Sequence, residues 1–358
     1  AGTEGVFGAW TITTGDGANT IIGSNGADTI TSNGGADSVL GGAGNDSIAV
    51  GSGADTVGGG AGNDSIDLTE SVSAADVVEF SSDSEVAAEA NTSDSGFDEA
   101  ESGVIDRGQD TITAFTAGTD TIKVTAVGLV EFVHGTDTDL GLGTATTAGS
   151  AAANFGTNVG LINLDNAETG DDTWTAGGDI VINFSSPTTT MTEALFEAAL
   201  QYDVTGTSAA DTITTGGLAD TYTVTAGNDV VDLGAGDDTI AISATLLAGN
   251  SGTTATIDGG AGTNNMSVTG AATLVDADFR GLSNINTLTF NTGDNTLTAG
   301  NAFEALIQKI DVTGTIDLAL TQDTGDTLGT ASAPLEIVGL TLNSEATKFD
   351  FLGTDAAT

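Results

Sequence analysis

Isolated apolar residues recur every nine residues along the first part of the chain. From Thr14 onward, each nine-residue block has one small apolar residue at its eighth position: Ile21, Ile30, Val39, Ile48, Val57 and Ile66. Serine or threonine precedes each of them. This local alternation of polar and apolar residues predicts a short β-strand in every block, with the apolar side chain facing inward.

Two further positions of the block keep the same phase. The fourth position is always glycine, which permits the positive φ of a tight turn: Gly17, Gly26, Gly35, Gly44, Gly53 and Gly62. The sixth position is an amide or a carboxylate: Asn19, Asp28, Asp37, Asp46, Asp55 and Asp64. If the chain turns once per block, alternate members of the second set lie along the same edge of a coil.

A second array begins at Gly206. Its aspartates are again nine residues apart, and each is followed by an apolar or aromatic residue two positions later: Asp211, Asp220, Asp229 and Asp238, with Ile213, Tyr222, Val231 and Ile240. The segment 259–266 repeats the shape once, slightly out of phase.

Aspartates stacked in this way create an electrostatic problem. Neighbouring strands of a sheet lie about 4.8 Å apart, and bare carboxylates at that spacing repel each other while losing hydration. A divalent cation between turns would reverse the sign of this interaction, and Ca²⁺ takes six to eight oxygen ligands, including carboxylates and backbone carbonyls. The alternative interpretation is that glycine and aspartate are simply good turn formers. For Asn19, a capping role is as plausible as metal binding.

The nonapeptide resembles the calcium-binding repeat of the RTX family, G-G-x-G-x-D-x-U-x. The resemblance implies an all-β fold of calcium-bound parallel β-roll or β-solenoid segments, to which the residues between the arrays add β-rich insertions and one short helix. It implies several Ca²⁺ ions, each enclosed by carboxylates and turn carbonyls from neighbouring turns. The predicted ligands in the arrays are Asn19, Asp28, Asp37, Asp46, Asp55, Asp64, Gly26, Gly35, Gly44, Gly53, Gly62, Asp211, Asp220, Asp229 and Asp238.

Residues 108–124 resemble a segment that often follows RTX rolls. That resemblance makes Asp110 and Asp120 candidate ligands, although surface turns explain them equally well. We predict four segments: a first roll over 1–69, a β-rich insertion over 70–202, a second roll over 203–243 and a degenerate β-solenoid or β-sandwich over 244–358.

The predicted insertion contains two features of its own. Residues 71–101 are acidic and lack the repeat, which favours a solvated loop; extra calcium ligands or a calcium-mediated contact are the alternative. A helix is predicted over 190–201, because Thr190 followed by Glu193 forms a capping-box pattern.

Charge restricts the partners. The chain has 51 acidic and 5 basic residues, for a net charge of −46. Such a surface repels phosphate, which excludes nucleic acid and anionic membranes. Disorder is disfavoured because 39% of residues are hydrophobic and they recur with a strict period. Without cysteine, the chain has neither disulfides nor thiolate metal sites, and no apolar run is long enough for a membrane helix.

Catalysis is not expected. The chain has a single histidine, His134, so neither a two-histidine zinc protease motif nor a serine hydrolase supported by a nearby histidine fits. His134 is best explained as a surface turn residue. Pairs of carboxylates are no evidence of catalysis in a chain with so many acidic residues.

These features together predict a noncatalytic, secreted, calcium-binding structural protein. The stretch 278–288 resembles solenoid coils of Gram-negative surface-layer proteins that also carry RTX repeats, which favours a surface-layer or related assembly subunit. The alternatives are a calcium-stiffened segment of an RTX adhesin, or the noncatalytic tail of a secreted enzyme or toxin. Expected partners are other copies of the chain, through Ca²⁺-mediated contacts, and a cell-surface polysaccharide. Membrane insertion is not expected. The resemblance implies type I secretion, and the start of the sequence fits export without a cleaved signal or an internal fragment.

Overall fold

The predicted strands form, and they stack in parallel, one coil above the next. In the computed structural model, Ile30 pairs in register with Ile48, and Ile48 with Ile66. On the opposite sheet, Val39 pairs with Val57. Each of these side chains is buried. The apolar eighth position therefore forms continuous rows that fill the interior between two parallel sheets.

The structure describes about two thirds of the chain. The described residues are 8–81, 109–127, 159–163, 179–192, 195–196, 198–250, 255–293, 295–299, 303, 306–312, 318–322 and 336–338. Contacts divide the chain into two units, residues 1–204 and 205–358.

The described strands of the first unit belong to two sheets. The first has the spatial order β1 (Thr11–Thr13), β3 (Thr29–Thr31), β5 (Ser47–Ala49), β7 (Ser65–Asp67), β9 (Gln109–Thr113), β12 (Asp179–Ser185) and β11 (Val159–Asn163). The second has the order β2 (Thr20–Ser24), β4 (Ser38–Ala43), β6 (Thr56–Ala61), β8 (Val77–Ser81), β10 (Thr121–Val127) and β13 (Leu200–Thr205). The β11–β12 pair is antiparallel.

The described strands of the second unit form three parallel sheets. One contains β14 (Thr212–Thr214), β16 (Val230–Asp232), β18 (Thr256–Asp258) and β21 (Leu282–Ser283). Another contains β15 (Thr221–Thr223), β17 (Thr239–Ser243), β19 (Asn265–Thr269), β22 (Thr287–Phe290), β24 (Lys309–Val312) and β26 (Glu336–Val338). The third contains β20 (Thr273–Val275), β23 (Asn295–Ala299) and β25 (Leu318–Gln322).

The parallel stacking continues past the arrays. Strand β8 pairs with β6, and β9 pairs with β7, so the sheets of the first roll extend beyond residue 69. Likewise β19 pairs in register with β17, which favours the solenoid alternative for the residues that follow 243. The four-segment division itself stays a prediction.

The expectation of a solvated loop over 71–101 agrees with the exposure of residues 71–75 but is wrong over 76–81. Asp76 is 2% exposed, and Val78 and Phe80 are buried on strand β8. The reason is that Val78 continues the row of Val57, although the spacing between them exceeds one regular coil. Residues 82–101 lie outside the described residues.

The helix predicted over 190–201 is much shorter than expected. Leu195 and Phe196 are helical, and their N–H groups donate to the Thr192 carbonyl at 3.0 and 2.9 Å. The Thr192 hydroxyl, not that of Thr190, accepts the Leu195 N–H at 3.4 Å. Leu200 already belongs to strand β13 because it pairs onto the sheet and is fully buried. Glu193 lies outside the described residues.

The second unit has short helical turns that the sequence pattern did not predict. Helix α1 spans Ala244–Leu247, and Ser243 caps it by accepting the Leu246 N–H at 3.3 Å. A 3₁₀ turn spans Asp276–Phe279. Within the described ranges, no helix has the length and apolar character needed to cross a membrane.

Candidate metal centre

Carboxylates form a ladder along one edge of the first roll. The backbone N–H of Asp28 donates to Oδ1 of Asp46 at 2.6 Å, and the N–H of Asp46 donates to Oδ1 of Asp64 at 2.7 Å. The N–H of Asp64 then donates to Oδ1 of Asp110 at 2.7 Å. Each aspartate is thus fixed against the coil before it. Asp110 is part of this ladder and not a surface turn residue, since it is 1% exposed.

A second ladder runs along the other edge. The N–H groups of Asn19, Asp37 and Asp55 donate to the next side chain along, at 2.8, 2.7 and 2.9 Å. The acceptors are Asp37, Asp55 and Asp76, and Asp76 in turn donates to Asp120 at 3.2 Å. Asp120 is 5% exposed, which corrects the alternative of a surface turn.

Asp76 was not among the individually predicted ligands, although extra calcium ligands within 71–101 were the alternative to a solvated loop. It breaks the nine-residue spacing, lying 21 residues after Asp55. A signal was nevertheless present in the sequence, because Asp76 is followed two positions later by an apolar residue, Val78, as in every regular block.

Among the described residues, four carboxylates of these ladders each have a buried oxygen without a hydrogen-bond donor. These are the Oδ2 atoms of Asp37, Asp46, Asp55 and Asp64, all on side chains that are 3% exposed or less. A buried anion oxygen without a donor or cation is strongly unfavourable. These atoms therefore mark where a positive charge would be stabilised.

The same burial changes the acid–base properties of these groups. Burial raises the pKa of the Asp46 and Asp55 carboxyls to about 6. Burial, together with the nearby Asp110 charge, raises the pKa of Asp64 to about 8. Burial also raises the pKa of Asp76, to about 7. The backbone N–H donors lower these pKa values but only partly offset the loss of water.

Glycines leave room beside the buried oxygens. A Cβ on Gly41 would collide with Oδ2 of Asp46 and with the Gly59 carbonyl, and a Cβ on Gly59 would collide with Oδ2 of Asp64. The fourth-position glycines Gly35, Gly44, Gly53 and Gly62 have positive φ and stack closely on the turn of the preceding coil. Positive φ is not found at Gly26. Ligation by their carbonyls stays a prediction.

Some predicted ligands already use both oxygens within the protein. Oδ2 of Asp28 accepts the Ser24 N–H at 2.6 Å, and Oδ2 of Asp120 accepts the Thr116 N–H at 2.7 Å. Asn19 donates its amide to the Gly15 carbonyl at 3.0 Å. This contact favours the capping alternative for Asn19.

The second array also has aspartate ladders along its two edges, but the surroundings of the second carboxylate oxygen differ between them. Asp220 donates its N–H to Oδ1 of Asp238 at 2.7 Å, and Oδ2 of Asp238 is buried without a donor. Burial raises the pKa of Asp238 to about 6. This edge therefore resembles the ladders of the first roll.

The other edge of the second array is closed by protein groups. Asp211 donates its N–H to Oδ1 of Asp229 at 3.1 Å, and Oδ2 of Asp211 accepts the Thr207 N–H at 2.6 Å. Oδ2 of Asp229 accepts the hydroxyl of Tyr222 at 3.0 Å. Tyr222 occupies the position that other blocks give to isoleucine or valine, and it is completely buried.

Carboxylates alone do not make a coordination shell in the part of the chain that the structure describes. There, no three His, Cys, Asp or Glu side chains are grouped for metal binding. The donor set must therefore combine one or two carboxylates with backbone carbonyls from the turns. That combination suits Ca²⁺, which accepts neutral oxygen ligands at high coordination number.

Comparison with known proteins agrees with this donor chemistry. Residues 13–48, 31–66 and 214–241 match the family model of the RTX calcium-binding nonapeptide repeat (4 copies). The two arrays are RTX calcium-binding repeats. Several calcium ions are accordingly the cofactors of these RTX arrays, and the buried Oδ2 atoms show that the residues present fit them.

Comparison with solved structures also found similarity. The solution structure of the AlgE6R3 subunit from the Azotobacter vinelandii mannuronan C5-epimerase is similar at 20% identity, covering 51% of this chain and 78% of that subunit, with a TM-score of 0.17. A search of curated proteins found no match.

Proposed function

We propose that this protein is a noncatalytic, extracellular structural protein, a surface-layer or related assembly subunit, whose rolls fold when calcium binds. The observation that carries the proposal is the set of buried Oδ2 atoms without donors at Asp37, Asp46, Asp55 and Asp64. In a chain of net charge −46, such a fold is self-repelling until cations bind.

The calcium concentration would make folding of the rolls depend on whether the chain is inside or outside the cell. A ligand that binds only the folded state stabilises it in proportion to the logarithm of its concentration. Low calcium inside the cell would leave the ladders uncompensated and the rolls unfolded, as secretion of an unfolded chain requires. Millimolar calcium outside would drive folding. This argument supports secretion and an extracellular location.

The proposed assembly role is supported by features of the chain outside the ladders. Each RTX array lies among parallel strands of its own unit, and the zinc-protease motif sought in the sequence needs two histidines where the chain has one. The exposed acidic side chains give calcium a way to bridge neighbouring copies or a cell-surface polysaccharide. His134 lies outside the described residues.

Electron microscopy with and without calcium tests the assembly role. Purified protein in millimolar calcium should form ordered sheets or tubes, and excess chelator should dissolve them. Magnesium at equal concentration is the control, because it demands smaller octahedral sites and keeps its waters. Protein that folds with calcium but stays monomeric would overturn the assembly role in favour of an adhesin segment or an enzyme tail.

A further inference from the structure

The ladder of the second unit changes its chemistry at residue 264. Asp238 donates its N–H to Oδ1 of Asn264 at 2.9 Å, and Asn264 donates its N–H to Oδ1 of Asn286 at 2.8 Å. Asn264 is thus the direct continuation of the Asp220–Asp238 edge, at the aspartate position of the turn 259–264. In this coil and the next, the ladder therefore consists of amides.

The side-chain nitrogen of Asn264 donates hydrogen bonds to surrounding backbone carbonyls. Its Nδ2 donates to the Gly259 carbonyl at 2.6 Å and to the Asn284 carbonyl at 2.8 Å, with the Gly260 carbonyl at 3.4 Å. The side chain is completely buried. Carbonyl oxygens from the turn of one coil and from the next coil therefore converge on one side-chain atom, and only a donor or a cation is stable among them.

Asp238 has the same backbone position one coil earlier, but its side chain requires a positive partner where Asn264 supplies a hydrogen-bond donor. Its Oδ2 is buried and has no donor, so the turn lacks a positive group. An amide in that place brings its own N–H and adds no charge. The two turns differ in whether the protein or an ion supplies the positive partner.

The same amide closure occurs at a separate place in the second unit. Asn295 donates Nδ2 to the carbonyls of Gly270 and Gly293, both at 3.0 Å, while its Oδ1 accepts the Ala272 N–H at 2.9 Å. The side chain is 2% exposed. An amide that pairs with the previous coil through oxygen and with turn carbonyls through nitrogen is therefore a repeated device.

We propose that the side-chain amide of Asn264 substitutes for a calcium ion, so that calcium binding on this edge ends at Asp238 and the coils after it fold without metal. The turn 259–264 keeps the glycines and the backbone path of an RTX turn, but its amide nitrogen neutralises the carbonyls that would otherwise coordinate an ion. The proposal rests on calcium binding by the aspartate turns and adds where that binding stops.

The test converts one kind of turn into the other. Asn264→Asp should bind one more calcium ion per chain than wild type, by metal analysis after gel filtration and by titration calorimetry. Its melting temperature should fall in chelator and recover in millimolar calcium. Asn265→Asp is the matched control: it adds the same charge one residue away, on a side chain whose Oδ1 accepts the Thr289 hydroxyl at 2.6 Å, and should leave the ion count unchanged.

The reverse variant keeps the proposal falsifiable if Asn264→Asp folds poorly. Asp238→Asn should bind at least one ion fewer, and the difference between its melting temperatures with and without calcium should shrink. An unchanged ion count in folded Asn264→Asp, its failure to fold in millimolar calcium, or an undiminished calcium response in Asp238→Asn would each overturn the proposal. Calcium binding by the wild type, measured alongside, separates this failure from failure of calcium-driven folding itself.

Discussion

The backbone N–H of Asp46 donates to Oδ1 of Asp64, eighteen residues later, at 2.7 Å, while Oδ2 of Asp64 has no hydrogen-bond donor. One oxygen of the carboxylate therefore belongs to the protein and fixes the coil spacing. The other is buried and requires a positive partner. This division gives the aspartate a structural role in the solenoid through Oδ1 and makes Oδ2 the atom that we expect to bind a cation.

Truncation of one ladder aspartate should weaken calcium binding and stability together. In Asp46→Ala, the Asp28 N–H loses its acceptor, and one carboxylate ligand disappears. We expect a loss of about 2 kcal/mol or more in calcium, because the N–H becomes a buried, unsatisfied donor. Denaturant unfolding at fixed calcium measures this loss. The control Asp16→Ala removes an exposed carboxylate of the same array and should change stability by less than about 0.5 kcal/mol. Equal effects of the two variants would contradict the ladder's role.

A methyl group beside the buried oxygen should disturb the site. In Gly41→Ala, the new Cβ collides with Oδ2 of Asp46 and the Gly59 carbonyl, so the turns must separate and calcium affinity should fall at least tenfold. Calorimetric titration measures the affinity. Gly15→Ala is the matched control, because a Cβ there meets nothing within 4 Å and should leave the affinity unchanged. Similar affinities in both variants would show that the space beside Asp46 is not needed.

Without metal, the fold should become more stable as the pH falls. The folded-state pKa of Asp46 is about 6 and that of Asp64 about 8, both above the ordinary value of 3.8. A carboxyl whose pKa is raised by folding contributes its stability below the unfolded pKa and loses it as pH rises through the folded pKa. In chelator, the melting temperature should therefore rise as pH is lowered from about 8 to about 5.

The variant Asp64→Asn separates this effect from general charge neutralisation. It removes the group with the highest of these pKa values, so the melting temperature should depend less on pH between about 7 and 9. Asp16→Asn, which alters an exposed carboxylate, should keep the wild-type profile. A profile of Asp64→Asn that matches wild type throughout would contradict the assignment.

The apolar rows should stabilise the roll independently of the ladders. Ile48 lies in register between Ile30 and Ile66 and is 1% exposed. Ile48→Ala should therefore cost about 2–5 kcal/mol through lost burial and the cavity left behind. Ile22→Ala removes a side chain that is 66% exposed and should cost less than about 0.5 kcal/mol. Unfolding in saturating calcium measures both, and equal losses would contradict an interior row at Ile48.

The periodic residues were sufficient to predict the solenoid coil. Position eight of each block is apolar, position four is glycine, and position six is an aspartate or, once, an asparagine. A turn every nine residues is the arrangement that buries the apolar set and stacks the polar one. Asp28, Asp46 and Asp64 lie along one edge as that spacing requires. These features depend only on local spacing, which the sequence states directly.

Ladder membership outside the arrays depended on long-range pairing. Asp110 accepts the Asp64 N–H across 46 residues and Asp120 accepts the Asp76 N–H across 44, distances in sequence at which no period is visible. The helix predicted over 190–201 was overestimated for a related reason. Local propensity favoured the helix, but its last predicted residues belong to strand β13, which pairs with the sheet.

The sequence by itself determined the period, the inward apolar rows and the placing of aspartates along two edges, because each is a property of neighbouring residues. Only the tertiary structure decided which of those aspartates need an ion. That choice depends on whether a donor from elsewhere reaches the second oxygen: Tyr222 reaches Asp229 and the Ser24 N–H reaches Asp28, whereas Oδ2 of Asp46 and Asp64 is buried beyond the reach of any such group in the described residues.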